Sequence, residues 1–289
     1  MQLKPALDSA IKRLTEGNVP SPRMNAELLL MFSLNCERSY LYAHPERELT
    51  DDEAIRYNEA ITQRSSGVPA QYITGHQEFW GMDLIVSPAV LIPRPETEHL
   101  IETVLKLLGE GNAAFNSNIG KNIHLIDVGT GSGCIALALA KELPQAEIQA
   151  VDVSCSALEI ARANASRLEL ESRIRFRQAD LLEGTEPASI DVIVSNPPYV
   201  GESEADQVQL EVRKFEPRNA VFAGPTGAEV IARLIPQART ALRPGGWLIM
   251  EISGSIADRV KHLLQGWEQI RTIDDLQGIP RVVAARKPL

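Results

Sequence analysis

The sequence predicts an α/β protein: a mostly parallel β-sheet covered by helices on both faces, with a small helical domain ahead of it. Three observations carry this. From Ile123 onward, short apolar runs alternate with helical patterns, and such alternation builds a parallel sheet clothed by helices. One run, Leu125-Ile126-Asp127-Val128, leads directly into Gly129-Thr130-Gly131-Ser132-Gly133 and a helix. The first 72 residues instead repeat apolar positions at steps of three and four.

The elements follow in order. Leu3, Leu7, Ile11 and Leu14 give a first helix one apolar face, and Gly17-Asn18-Val19-Pro20 breaks it. Ser21-Pro22 reads as cap and first turn of a second helix carrying Ala26, Leu28, Leu29, Leu30 and Phe32. Thr50-Asp51-Asp52-Glu53 is a capping box opening a third, through Ala54, Ile55, Tyr57 and Ile61 towards Ser65-Ser66-Gly67. Phe79–Val86 and Ala89–Ile92 then read as two strands about a Ser87-Pro88 break, a hairpin linker. Pro93 to Glu98 opens a helix through Leu108, and a loop rich in Gly and Asn covers 109–120. Strands are expected at Ile123–Val128, Ile148–Val153, Ile174–Arg177, Ile190–Ser195, Trp247–Ile252 and Val282–Ala285. Helices are expected at Ile135–Leu143, Ser156–Arg167, Ala228–Ala241 and Ala257–Leu264. The domains expected are residues 1–72, helical and recognising a substrate; 73–95, the linker; and 96–289, catalytic.

Composition narrows the function. A net charge of −9 disfavours a protein that grips nucleic-acid phosphates over a wide surface. Cys36, Cys134 and Cys155 have neither metal-ligand spacing nor a disulfide framework, and the five histidines are scattered, so no metal is expected. No apolar run approaches the roughly 18 residues of a membrane span. The first residues carry acids and no secretory apolar region, so a cytoplasmic protein is expected.

Glycines after the first strand let the chain turn tightly and let a ligand approach without a Cβ in the way. Asp152, ending the next strand, can accept both ribose hydroxyls. Gly131-x-Gly133-x-x-Ala136 also satisfies the dinucleotide fingerprint, so the loop alone leaves the cofactor open. Asp127, two residues before the first glycine, would repel a pyrophosphate but could help organise a zwitterionic amino acid. That favours S-adenosylmethionine over a nicotinamide dinucleotide. Asp180, after the third strand, can accept from an adenine amino group with Leu181 against the ring; it reads equally well as a helix cap.

The second motif is Asn196-Pro197-Pro198-Tyr199, behind the apolar run Ile190–Ser195. The prolines fix their own φ, lack N–H groups and push the residues before them out of the helical region. An Asn side-chain oxygen and a neighbouring backbone carbonyl can then grip both hydrogens of a planar NH2 group. Tyr199 adds a flat wall. Hydride transfer has no use for such a device; methyl transfer to an NH2 does.

Together these residues make the chain resemble the protein-glutamine N5-methyltransferases of the PrmC/HemK family, which modify class I peptide chain release factors. The resemblance covers nearly the whole chain. It includes the N-terminal helices, Gly75-His76-Gln77-Glu78-Phe79-Trp80-Gly81 and Leu91-Ile92-Pro93-Arg94-Pro95-Glu96-Thr97-Glu98. It continues through the glycine loop and Asn196–Tyr199 to Phe215-Glu216-Pro217-Arg218-Asn219-Ala220 and Gly278-Ile279-Pro280-Arg281-Val282-Val283. After Glu251-Ile252 the family usually has Gly and, shortly afterwards, Gln; Ser253 and Ile256 stand here.

The resemblance implies a Rossmann-like, seven-stranded class I methyltransferase fold. It implies S-adenosylmethionine as donor, S-adenosylhomocysteine as product, and the glutamine of a Gly-Gly-Gln tripeptide as target. By motif match, Gly129, Thr130, Gly131, Ser132, Gly133, Asp152, Asp180, Leu181 and Asn196 take cofactor roles. Asn196, Pro197, Pro198 and Tyr199 take the amide-binding and catalytic roles. Asn196 Oδ1 and the Pro197 carbonyl are expected to accept the two amide hydrogens. Tyr199, with Phe79 or Trp80, is expected to pack around the glutamine and the sulfonium.

Other functions compete. An adenine N6-methyltransferase uses the same Asn-Pro-Pro-Tyr logic but needs base flipping and a basic recognition region, against which the net charge argues. A glutamine methyltransferase of a large-subunit ribosomal protein shares the core motifs. A non-catalytic adenosine- or dinucleotide-binding module remains as a different class.

Overall fold

The computed structural model describes residues 1–109 and 123–289. From residue 110 on, the loop expected at 109–120 lies outside the described residues. The chain divides into two compact units, Met1–His76 with Gln209–Phe215, and Gln77–Val208 with Glu216–Leu289. The first unit thus takes residues 209–215 as well, which a division made along the sequence does not contain.

The first unit holds α1 (Leu3–Glu16), α2 (Pro22–Leu34), α3 (Arg38–Ala43), α4 (Asp51–Ser65), α5 (Ala70–Thr74) and, much later in the chain, α9 (Leu210–Phe215). Leu3, Leu14, Leu29, Leu30, Tyr57 and Ile61 form its core, with Tyr57 donating its hydroxyl to the Ala26 carbonyl at 3.1 Å. The capping box forms in full: Thr50 Oγ1 accepts from the Glu53 N–H and Glu53 Oε2 from the Thr50 N–H. Ser21 departs from its expected role, because its φ of 48° is left-handed and its side chain caps nothing. The apolar face of α2 is also narrower than its composition suggests: Leu28 and Phe32 are exposed, as is Ile55 on α4. Arg64, buried at 4% exposure, donates to Asn25 Oδ1 and the Val68 carbonyl and pairs with Glu211 at 2.7 Å. A buried guanidinium needs such partners, since desolvating it unpaired is costly. Arg64 therefore anchors α9 to this unit.

The second unit opens with a hairpin, but not the one expected. Strands β1 (His76–Phe79) and β2 (Met82–Ile85) turn at Trp80-Gly81, with φ of 52° and 65°. Two successive left-handed residues match the right-handed twist of a hairpin. Alternation alone hides this turn, because Trp rarely adopts that conformation. Ala89–Ile92 forms no strand. Asn164 fixes the hairpin: its Oδ1 accepts from the Ile85 N–H, and its Nδ2 donates to the Ile85 and Ser132 carbonyls.

There follow a 3₁₀ turn at Pro95–Thr97, α6 (Glu98–Gly109), β3 (His124–Val128), α7 (Cys134–Glu142), β4 (Glu147–Asp152), α8 (Cys155–Arg167), β5 (Ile174–Gln178) and β6 (Ile190–Ser195). Beyond them lie β7 (Val200–Gly201), α10 (Arg218–Val221), β8 (Phe222–Gly224), α11 (Glu229–Ala241), β9 (Leu242–Glu251), α12 (Ala257–Leu263), β10 (Glu268–Asp274) and β11 (Pro280–Arg286). The main sheet has seven strands in the order β10-β11-β9-β6-β3-β4-β5, with β11 antiparallel to both its neighbours. Of these strands the apolar runs miss only β10. It lies at the sheet edge and is mostly exposed, so it carries no buried face to mark it. Side chains alternate between two cores. Leu125, Val192, Trp247 and Ile249 face one with α6 and α7; Ile126, Ile193, Leu248 and Met250 face the other with α11 and α12.

Candidate active site

Strand register places the two motifs side by side. On the parallel pair β3/β6, Val128 lies opposite Ser195, so the glycine turn and Asn196 leave adjacent strand ends. Ser195 Oγ donates to the Val128 carbonyl at 2.7 Å and locks that register. Carboxyl ends of parallel strands are where ligands bind in open α/β sheets. Here they border a cavity of about 360 Å³ lined by both motifs, within the roughly 300–1,000 Å³ usual for small-molecule sites.

Of the expected cofactor residues, Gly129, Thr130, Gly131, Ser132, Asp152, Asp180, Leu181 and Asn196 line this cavity. Gly129 and Gly131 have φ of 74° and 55°, and a Cβ on either would meet nothing within 4 Å. Gly133 has another task. It starts α7 with φ 84°, and a Cβ there would come within 3.2 Å of the Ala161 Cβ and Leu137 Cδ1. It lets α7 pack against α8 and does not line the cavity. Asp152 binds the turn: Oδ2 accepts from the Gly131 N–H and Oδ1 from the Ser154 N–H, both at 2.9 Å. Each carboxylate oxygen retains capacity for another donor. Asp180 is exposed and paired with Arg233, a cavity-lining residue that sequence reasoning missed. Leu181 has a left-handed φ of 53°. Such backbone is uncommon outside glycine and tends to gather at binding sites.

Asp127 is fully buried and does not line the cavity. Its Oδ2 accepts from the Thr130 hydroxyl at 2.6 Å and the Ala136 N–H at 3.2 Å, tying the glycine turn to α7. Burial, with the Asp152 charge adding to it, pushes its carboxyl up to about 7 against those two donors. A carboxyl raised on folding stabilises fully below its unfolded pKa and loses that contribution as pH rises through the folded one. Compared with Asp127→Asn, which does not titrate, the wild type should lose stability between about pH 4 and about pH 7. Urea titrations across that range should show a loss on the order of a few kcal/mol; a difference independent of pH would contradict it.

Among the amide-grip residues, Asn196 and Pro198 line the cavity; Pro197, which is buried, and Tyr199 do not. Asn196 Nδ2 donates to Thr97 Oγ1 at 3.1 Å. Tyr199 donates its hydroxyl to Glu251 Oε1 at 3.0 Å, and burial, with the Glu251 charge, raises the phenol strongly. Phe79 and Trp80 do not approach. Phe79 is in the core, and the Trp80 indole N–H donates to Glu142 at 2.9 Å. The wall expected from them comes instead from Ala89, Val90, Leu91 and Pro93. Buried Glu216 holds that segment, accepting from the Ile92 N–H at 3.1 Å and pairing with Arg94. The Leu91–Glu98 and Phe215–Ala220 motifs are thus two halves of one clasp. Ser253, where the resembled family usually has Gly, caps the 3₁₀ turn at Gly254–Ile256 by accepting from the Ser255 N–H.

A glycine turn and an acid on successive strand ends, in a seven-stranded sheet with one antiparallel strand, define a class I S-adenosylmethionine-dependent methyltransferase. Residues 5–75 match the family model of the PrmC N-terminal domain, and residues 107–214 that of the methyltransferase small domain. The chain is 57% identical over 289 residues to the release factor glutamine methyltransferase of Koribacter versatilis (strain Ellin345), covering 100% of this chain and 99% of that one. It is 40% identical over 272 residues to the release factor glutamine methyltransferase of Rhodopirellula baltica, covering 92% and 90%. The solved N-terminal domain of human METTL16 in complex with SAH shares the fold at 18% identity, with a TM-score of 0.51 over 89% of this chain and 93% of that one. The chain belongs to the release factor glutamine methyltransferase family.

Proposed function

We propose that this protein methylates the side-chain amide nitrogen (N5) of the glutamine in the Gly-Gly-Gln tripeptide of class I release factors, at the cavity between Gly129 and Asn196. One observation carries the reading: a single cavity is lined both by the glycine turn with Asp152 and by Asn196 with Pro198. The open side of Gly129 and Gly131, the Asp152 carboxylate and the Leu181 side chain suit a nucleoside with an amino-acid tail. S-adenosylmethionine supplies a methyl group made electrophilic by its sulfonium, and S-adenosylhomocysteine is left. Among the described residues no helix is long and apolar enough to cross a membrane. The reaction takes place in the cytoplasm, with no metal and no direct nucleic-acid contact.

An amide nitrogen is a poor nucleophile because its lone pair is delocalised into the carbonyl. Asn196 Oδ1 and the Pro197 carbonyl accept its two hydrogens. That turns the lone pair outward and favours the positive charge that builds on nitrogen. Holding the amide in one attack geometry supplies much of the rate. The methylated nitrogen is strongly acidic, so its proton passes to water without a strong base. Mass spectrometry of the Gly-Gly-Gln peptide, after incubating the protein with intact release factor and labelled donor, tests the reading; no label on that glutamine refutes it.

The helices of the first unit recognise the folded factor, since a tripeptide offers few contacts and a second contact raises the effective concentration at the site. Deleting residues 1–72 would test this poorly, because it also removes Arg64, the partner of Glu211. Charges on the exposed positions Met24 and Phe32 of α2 leave the core intact. The double variant Met24→Glu/Phe32→Glu should raise KM for the intact factor by roughly tenfold or more and leave turnover of a short Gly-Gly-Gln peptide unchanged. An unchanged KM for the factor would count against recognition through α2.

A further inference from the structure

Beneath Asn196 lies a buried polar chain that neither motif reveals. Asn196 Nδ2 donates to Thr97 Oγ1 at 3.1 Å, and Thr97 is 1% exposed. Burial raises the Glu251 carboxyl, and the Thr97 hydroxyl pulls against that shift. Glu251 is 1% exposed; its Oε1 accepts from the Tyr199 hydroxyl, and its Oε2 has no hydrogen-bond partner of its own among the described residues. A buried carboxylate oxygen without a donor is expensive, and the Thr97 hydroxyl hydrogen is the donor at hand. We propose that Thr97 and Glu251 are positioning residues that fix which edge of the Asn196 amide faces the substrate.

The logic is one of polarity. A carboxylate only accepts. Glu251 Oε1 therefore takes the hydroxyl hydrogen of Tyr199, and in this proposal the Thr97 hydroxyl turns its own hydrogen towards the unpartnered Oε2. Thr97 Oγ1 then has only lone pairs to offer Asn196, so the NH2 of Asn196 turns to Thr97 and its Oδ1 is left for the cavity. A reversed Asn196 would present donors to a substrate NH2 group, where nothing could accept. The same carboxylate fixes Tyr199, so one residue on β9 aligns both ends of the Asn196–Tyr199 motif. The charged and titratable groups that face Glu251 are Tyr199, Arg281 on β11, Glu96 beside Thr97 and the Cys134 thiol on α7; Arg94 and Arg281 also face Tyr199. Burial raises the Glu251 carboxyl, against the pull of Thr97, Tyr199 and Arg281. As pH falls through its pKa, Glu251 gains a hydrogen and ceases to dictate the polarity of Thr97. Turnover should therefore fall on the acid side.

The assignment rests on the glutamine-amide reading, so its test has one arm that needs no substrate. In the full-length protein with labelled asparagine, the Asn196 side-chain NH2 should be protected from hydrogen exchange, and equally so in Thr97→Ser. Thr97→Val, which can neither accept nor donate, should abolish that protection. With intact release factor, Thr97→Val should lower kcat by ~10²-fold while KM and donor affinity stay within ~3-fold, and Thr97→Ser should recover wild-type kcat. Glu251→Gln can present donors to Thr97; it should lower kcat and remove the acid limb of the kcat–pH profile. Wild-type kcat in Thr97→Val, or a loss that Thr97→Ser does not recover, overturns the proposal. If the amide responds as described but no release factor is methylated by the wild type, the functional reading fails and the polarity assignment stands.

Discussion

Asn196→Ala should lower kcat for release-factor methylation by roughly 10²–10⁴, the range for losing a positioned polar group at the reacting atom. Asn196 leaves β6 beside the glycine turn and lines the cavity with it, while Thr97 holds its amide from behind. In the proposed mechanism the Ala variant lacks the acceptor for the reacting nitrogen. The glycine turn and Asp152 remain tied to each other by the Gly131 N–H. Donor affinity by calorimetry should therefore change far less than the single-turnover rate. Full turnover by the Ala variant would remove Asn196 from the chemistry.

The second large effect is expected at Asp152. In the proposed role, where Asp152 accepts from the ribose hydroxyls, its Ala variant would lose charge-assisted hydrogen bonds worth about 1.5–3 kcal/mol, so affinity should fall by roughly 10- to 150-fold. S-adenosylmethionine and S-adenosylhomocysteine should weaken together, because the carboxylate is not expected to touch the methyl. The structure adds a second cause in the same direction. Asp152 also accepts from the Gly131 and Ser154 N–H groups, so its removal loosens the turn that the ligand must meet. Asp152→Asn keeps one acceptor oxygen and should fall between Ala and wild type. Equal affinity in Ala and wild type, for both ligands, would leave Asp152 a purely structural brace.

Much of the fold was legible because its signals are local. The six expected strands form with ends no more than five residues from those expected, and Ile190–Ser195 matches at both ends; central strands such as β3 and β6 are legible because a strand buried on both faces is apolar along most of its length. The capping box at Thr50 and Glu53 forms as read, because both partners lie within one turn. Reading failed where no local signal exists. Strand β10 has no buried face, Trp80 adopts glycine-like backbone inside an apparent strand, and within Ala89–Ile92 the apolar residues Ala89, Val90 and Leu91 line a cavity while Ile92 is buried. Gly133 reads as one of the loop glycines, yet it serves helix packing, a role visible only once Ala161 is set against it.

The sequence alone determined the family, the parallel sheet, the glycine turn and the rigid Asn196–Tyr199 corner. Each of these is written in contiguous residues whose backbone preferences are intrinsic. Tertiary structure decided which groups complete the site. Thr97 and Asn196 lie 99 residues apart in the chain, Tyr199 and Glu251 52 apart, and Asp180 and Arg233 53 apart. No propensity joins such pairs. They meet because strand order and register bring separate strand ends to one edge of the sheet, and because a polar group buried there must find its partner wherever the chain supplies it.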